Sequence, residues 1–233
     1  MNKTAEFDKY IDQYDEDHRS SIRLSGETPG YFAQYKIKAL RSMTDAWGFT
    51  NPRILDFGAG MGASVPAFRS HFPEVKVTLA DVSADSLKAA RHFHAGDETH
   101  LVIDNGRVPA ADASYDVVFT ACVFHHIPHD EHAVWLSELR RIVRPGGRIV
   151  IFEHNPLNPL TLHAVRNCPF DVNAHLIGAR EMARRVSASG WVDAKVDFHV
   201  FFPAALASLR PLEGRLRWCP LGAQYACHAM VPE

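Results

Sequence analysis

Short apolar, β-branched runs alternate along this chain with longer stretches whose apolar residues recur every three or four positions. The runs predict strands over residues 53–57, 76–81, 99–104, 116–123 and 147–153, with two more over 192–202 and 224–231. Helical patterns lie between them. Residues 63–72 place Val65, Phe68 and Phe72 on one face, and residues 131–143 carry a broad stripe that includes Leu136, Leu139 and Ile142. Ser83 offers an N-cap for a helix over 84–93, and Gly190 a stop for one over 179–189. Arg144-Pro145-Gly146-Gly147 ends the 131–143 helix before the fifth strand. Near the start, Phe32, Ile37, Leu40, Met43 and Trp47 predict a helix packed on the core. Alternation of this kind predicts an α/β fold, a mostly parallel sheet with helices on both faces. The last two runs have no convincing helix between them and predict an antiparallel pair at one edge.

The first strand runs through Arg53-Ile54-Leu55-Asp56-Phe57 into Gly58-Ala59-Gly60-Met61-Gly62 and then a helix. Glycines at a helix N-terminus let a ligand approach backbone N–H groups that lack intrahelical partners. A nucleotide-type cofactor suits such a place. Gly58-x-Gly60-x-x-Ala63 satisfies the dinucleotide pattern G-x-G-x-x-G/A. The carboxylate of Asp56 would oppose an anionic pyrophosphate there, whereas a cofactor with a cationic group would be drawn to it.

Asp56, Gly58, Gly60 and Gly62 match every fixed position of (D/E)-x-G-x-G-x-G, and the segment resembles the first motif of class I S-adenosylmethionine-dependent methyltransferases. The resemblance extends over residues 53–153. It implies a Rossmann-like seven-stranded sheet whose last strand is antiparallel, and S-adenosyl-L-methionine as cofactor. In that family the glycine loop wraps the methionine portion. Asp81 ends the second strand, where one carboxylate can accept from two ribose hydroxyls, and this position fits a dinucleotide equally well. Asp104, at the end of the third strand, matches an acid that meets the adenine amine. Phe57, Ala59, Val82, Asn105, Ala121 and Val123 adjoin these positions and complete the expected cofactor set. Three acids closing three successive strands on one side of the sheet are the strongest signal in the chain.

The fourth strand runs into Phe124-His125-His126-Ile127-Pro128, and the fifth into Glu153-His154-Asn155-Pro156. Relatives often carry histidines after strand four, and a neutral imidazole can take a proton from an acceptor. His126, then His154, then His125 are the expected bases. His129 and His132 raise the question of a metal, but Pro128 breaks the helix that would align them with His125 and no cysteine joins the set, so none is expected. The resemblance divides the chain into an N-terminal helical cap over 1–50 and a core over 51–233. An acceptor-pocket insertion is expected around 154–178. Together with Ser25-Gly26-Glu27 and Tyr31, that insertion resembles methyltransferases of polysaccharide or secondary-metabolite pathways, which implies a small polar acceptor methylated on oxygen or nitrogen.

Composition narrows this little. The chain has 233 residues and a net charge of −2, with no basic patch for nucleic acid and no apolar run of transmembrane length. Its four cysteines are scattered, and its first residues do not look like a signal peptide, so a reduced cytoplasmic protein is expected. Neither nucleic acid nor membrane is expected as a partner. The competing functions are an NAD(P)-dependent oxidoreductase on a related sheet and a non-catalytic cofactor-binding partner protein.

Overall fold

In the computed structural model, which describes residues 19–233, the expected alternation is present. Strands β1 (Ile54–Phe57), β2 (Thr78–Asp81), β3 (Thr99–Val102), β4 (Tyr115–Ala121) and β5 (Val143–His154) are followed by β6 (Val192–His199) and β7 (Gln224–Met230). The principal helices are α1 (Pro29–Ala46), α2 (Val65–His71), α3 (Ala84–Phe93), α4 (His132–Ile142), α5 (Pro159–Arg166), α6 (Ala179–Ala188) and the short α7 (Glu213–Leu216). One seven-stranded sheet runs β3-β2-β1-β4-β5-β7-β6. β1 pairs in parallel with β2 and β4, as β4 does with β5, while β7 runs antiparallel to both β5 and β6.

Alternation along each strand divides the core between the sheet's two faces. Leu55, Val118, Ile149 and Ile151 pack with Leu136, Leu139 and Met182 of α4 and α6. Ile54, Val117, Phe119 and Val150 instead meet Ile37 and Leu40 of α1 and Phe68 of α2. Central strands buried on both faces are the expected state of a parallel sheet. Helix α1 is therefore part of one covering layer. The beginning of the expected cap, before residue 19, lies outside the described residues.

Two boundaries differ from expectation for identifiable reasons. β5 begins at Val143 because Val143 pairs with Tyr115 before the register shifts to Val117 opposite Arg148. The Pro-Gly-Gly segment is thus an irregularity within the strand, and its Gly146 N–H donates to Val231 O at 3.0 Å. β6 stops at His199 because the N–H groups of Phe201 and Phe202 donate to the buried Glu213 carboxylate at 3.0 and 3.2 Å. Tyr35 on α1 donates to the same carboxylate at 2.6 Å. This polar knot holds a run of 3-10 turns (Ala204–Leu212) and α7 between β6 and β7, where no helix is expected from periodicity.

Phe119 is fully buried, with its ring centroid 5.7 Å from that of Phe68 and 6.0 Å from that of Phe152. Phe119→Ala is expected to lower the free energy of unfolding by about 3–5 kcal/mol, measured by denaturant titration.

Candidate active site

Because β1, β2 and β4 are parallel and in register, their carboxyl ends meet at one edge of the sheet, where open α/β folds bind ligands. The loop after β1 is tied back to β2: Gly58 N–H donates to Ala80 O at 2.8 Å, and Gly60 N–H donates to Asp81 Oδ2 at 2.8 Å. Asp81 Oδ1 accepts from Ser83 N–H at 2.8 Å, which joins the loop to the start of α3. Gly58 has φ +73°, and a Cβ there would stand 2.4 Å from Val123 Cγ2. Gly60 has φ +52°, and a Cβ there would enter open space with nothing within 4 Å. The first glycine brings the loop against the turn after β4, and the second keeps the cleft clear.

A cavity of about 1200 Å³ extends from this loop to the ends of β4 and β5 and the start of α1. Its volume exceeds the roughly 300–1,000 Å³ of a pocket for one small ligand, leaving room for two molecules. Asp56, Phe57, Gly58, Ala59 and Gly60 line it, as do Asp81, Val82, Ala121 and Val123. Gly62 lies outside the lining, and a Cβ there would stand 3.1 Å from Ala90 Cβ, so this glycine lets the loop sit on α3. Asp104 and Asn105 are not part of the lining either; they border a separate recess with Arg107 and Pro109. The Asp104 carboxylate accepts from Asn105 N–H and Nδ2, each at 2.8 Å, and Ile103 is the residue of this segment that faces the cavity.

At the far end the three expected histidines come together around two acids, the buried Glu153 and the half-buried Asp171. Glu153, 1% exposed, accepts at Oε1 from Val123 N–H at 3.0 Å and Phe124 N–H at 2.8 Å, and at Oε2 from His125 Nδ1 at 2.6 Å. Asp171 Oδ1 lies 3.4 Å from His125 Nε2 and 3.3 Å from His126 Nε2. The ring centroids of His154 and His125 are 5.2 Å apart. Cys122, with φ +59°, receives Lys36 Nζ at 3.3 Å from its sulfur.

Electrostatics sort these groups. Burial disfavours a charged His125, but Glu153 and Asp171 outweigh it and raise His125 to about 10. Burial raises the Cys122 thiol, yet His154 and Lys36 bring it down to about 6. His154 is itself raised: burial opposes its charge, and Cys122 overcomes that. Asp171 is held well below the usual carboxylate range because its contacts with His125 and His126 outweigh burial. Glu153, Asp171, Cys122 and Lys36 were not expected site residues. Two sequence signals pointed toward them: a glutamate inside a buried strand, since a charge is rarely buried without a partner, and the expected acceptor-pocket insertion over 154–178, which contains Asp171.

A cofactor-binding α/β protein with two adjoining sites is what this fold and cleft define. Residues 54–147 match the family described as the methyltransferase domain. Trans-aconitate 2-methyltransferase of Azoarcus sp. (strain BH72) is 30% identical over 140 residues, which cover 60% of this chain and 54% of the relative. Malonyl-[acyl-carrier protein] O-methyltransferase of Hahella chejuensis is 32% identical over 98 residues, covering 42% of this chain and 34% of the relative. The chain thus spans between a third and about half of the length of these curated relatives. A solved S-adenosylmethionine-dependent methyltransferase from Thermotoga maritima, described as a possible histamine N-methyltransferase, shares the fold. It aligns with a TM-score of 0.68 over 97% of this chain and 98% of its own, at 17% identity.

Residues 54–147 are thus similar to the methyltransferase-domain family, and the fold is that of solved S-adenosylmethionine-dependent methyltransferases, a class whose cofactor is S-adenosyl-L-methionine. The cleft fits it. Asp56 is 3% exposed, and its Oδ2 has no hydrogen-bond partner among the described residues, which leaves a buried acceptor beside the glycine loop. An ammonium group satisfies it, whereas a pyrophosphate does not.

Burial, reinforced by the Asp81 carboxylate and opposed by Lys36, pushes Asp56 up to about 8. The folded chain keeps a proton that an unfolded aspartate, with a pKa of about 3.9, has lost. Stability from this group is therefore full below that value and falls as pH rises to about 8. Asp56→Asn, which cannot ionise, is expected to gain thermal stability over the wild type progressively between pH 5 and pH 8, then level off. A difference in unfolding temperature that shrinks over this range would contradict the assignment.

Proposed function

We propose that this protein transfers the methyl group of S-adenosyl-L-methionine to an oxygen or nitrogen of a small polar acceptor. The observation that supports it best is the single cavity joining the glycine loop to the cluster of His125, His126 and His154. When bound, the cofactor supplies a methyl group on a sulfonium, which carries its own leaving group. Asp56 would hold the ammonium, and the Asp81 carboxylate the ribose hydroxyls.

The chain's remaining work is to seat the acceptor, exclude water and take up a proton. His126 is the base in this proposal: it lines the cavity with 13% of its side chain exposed, and Asp171 orients its Nε2. His125 is the least suited of the three, because Glu153 and Asp171 hold its proton on both sides. His154 faces Cys122 and ranks second. The segment over 154–178, with α5, covers the acceptor end, where Leu160 and Val165 mix with Asn158 and His163. A small molecule bearing a polar reactive group and some apolar surface suits such walls; a sugar or secondary-metabolite intermediate is of this kind. Relatives that act on trans-aconitate and on malonyl-[acyl-carrier protein] extend the acceptor panel to carboxylic acids.

Cys122, Cys219 and Cys227 are free thiols, which supports a reducing compartment, the cytoplasm. Among the described residues, no helix is long and apolar enough to cross a membrane. Neither nucleic acid nor membrane enters this proposal.

Calorimetric titration with S-adenosylhomocysteine, NAD and NADP tests the cofactor assignment. Micromolar binding of the thioether alone, weakened in Asp81→Ala, is expected; dinucleotide binding instead would overturn it. With an acceptor found from a panel of hydroxy acids, sugars, phenols and amines, His126→Ala is expected to lose about 10²-fold in turnover while keeping its thioether affinity. Tight thioether binding with no turnover on any acceptor would favour a non-catalytic partner protein.

A further inference from the structure

The cluster at the acceptor end contains more than a base needs. His125 Nε2 is buried, and its contact among the described residues with Asp171 Oδ1 is long, at 3.4 Å. One donor atom each from His125, His154 and Asp171 lie within 4.8 Å of one another. These three groups converge at the wall of the cavity, with His126 Nε2 alongside at 3.3 Å from Asp171 Oδ1.

We propose that His125, His154 and Asp171 hold one divalent transition-metal ion at the acceptor end of the cavity. The donors come from three places: the turn after β4, the last residue of β5, and the 3-10 turn Pro169–Asp171. Small side-chain movements suffice to bring such donors to the 2.0–2.2 Å of zinc–nitrogen and zinc–oxygen bonds. Two imidazoles and one carboxylate are the donor set of catalytic zinc sites that keep a fourth position open. Magnesium and calcium favour all-oxygen sets, so zinc or another late first-row ion is the better match.

The support behind His125 points the same way. Glu153 accepts from Nδ1 at 2.6 Å, and two backbone N–H groups fix Glu153 in turn. A carboxylate that fixes one imidazole nitrogen leaves the other aimed as a ligand, an arrangement metal-binding histidines almost always show. The four histidines weighed from the sequence, His125, His126, His129 and His132, are not this set. The carboxylate arrives from 46 positions beyond His125, since Asp171 lies on another segment. Cys122 stands beside His154 and could add a sulfur ligand.

This site deepens the proposed methyl transfer, and rests on it only for what the open position would take. There, the reacting hydroxyl or thiol of the acceptor would coordinate and give its proton to His126 more readily than in water. The acceptor class narrows accordingly, to molecules with a nucleophilic oxygen or sulfur able to ligate a metal.

The test uses the full chain, stripped with a chelator and dialysed, then titrated with Zn²⁺ and separately with Mg²⁺ in a calorimeter. Metal content is measured afterwards by mass spectrometry. Cobalt(II) substitution supplies a second readout, because its visible spectrum reports nitrogen ligation in a low-coordinate site. One Zn²⁺ per chain is expected, with affinity at least about 10-fold weaker in Asp171→Asn and in His154→Gln. S-adenosylhomocysteine affinity, measured in parallel, should stay unchanged in both variants and shows that they are folded. Wild-type protein that binds the thioether but no zinc would overturn the ion site alone. Zinc binding undiminished in both variants, or Mg²⁺ held more tightly than Zn²⁺, would overturn it as well. Zinc bound as expected by a chain that ignores the thioether would instead sink the methyltransferase proposal and leave the ion site standing.

Discussion

Glu153 is a charge near the end of β5, an interior strand of a sheet buried on both faces. An isolated carboxylate there would be prohibitively costly, and it persists because three donors converge on it. Two are backbone N–H groups of the turn after β4, and the third is His125. The satisfaction of that one charge therefore dictates where the chain turns after leaving β4, and how the histidines that follow are presented to the cavity. Cys122, in the left-handed region, is the residue that makes the turn. Its strained backbone is tolerated because Glu153 anchors the next two amides.

A second carboxylate does the same for the other half of the cleft. Asp81 ties the glycine loop to β2 and to the first turn of α3, using both oxygens on backbone N–H groups. The two halves of the cavity are thus each organised by an acid at a strand end, accepting from a neighbouring loop. Asp56 differs from both. One of its oxygens has no hydrogen-bond partner among the described residues, and the proposed contact with the cofactor's ammonium rests on that oxygen. A third acid knot, Glu213 with Tyr35 and the amides of Phe201 and Phe202, joins α1 to the connection between β6 and β7. It closes the acceptor side with polar contacts in a segment where buried apolar residues are few.

Elements whose identity depends on local pattern were legible. The strands of the sheet, the antiparallel last strand, the Ser83 cap and the stripe of α4 follow from alternation, helical period and capping chemistry. Each is read within a dozen neighbouring residues. The glycine loop and the acids Asp56 and Asp81 were legible for the same reason, since motif and strand end lie side by side. Asp104 shows the limit of that logic. It follows its strand as the other two acids do, but β3 ends at Val102 and the turn pairs Asp104 with Arg107, so Ile103 faces the cavity instead.

What the amino-acid order determined was the sheet, the cofactor loop and the presence of three histidines near strand ends, because apolar periodicity and glycine placement act over short separations. Tertiary structure alone decided how those histidines differ. Asp171 reaches His125 and His126 from a distant segment, Lys36 reaches Cys122 across 86 positions, and Glu153 binds the turn of a neighbouring strand. Charge, protonation and ligand geometry depend on distances of a few ångströms and on exclusion of water. Both are set only when remote segments pack together.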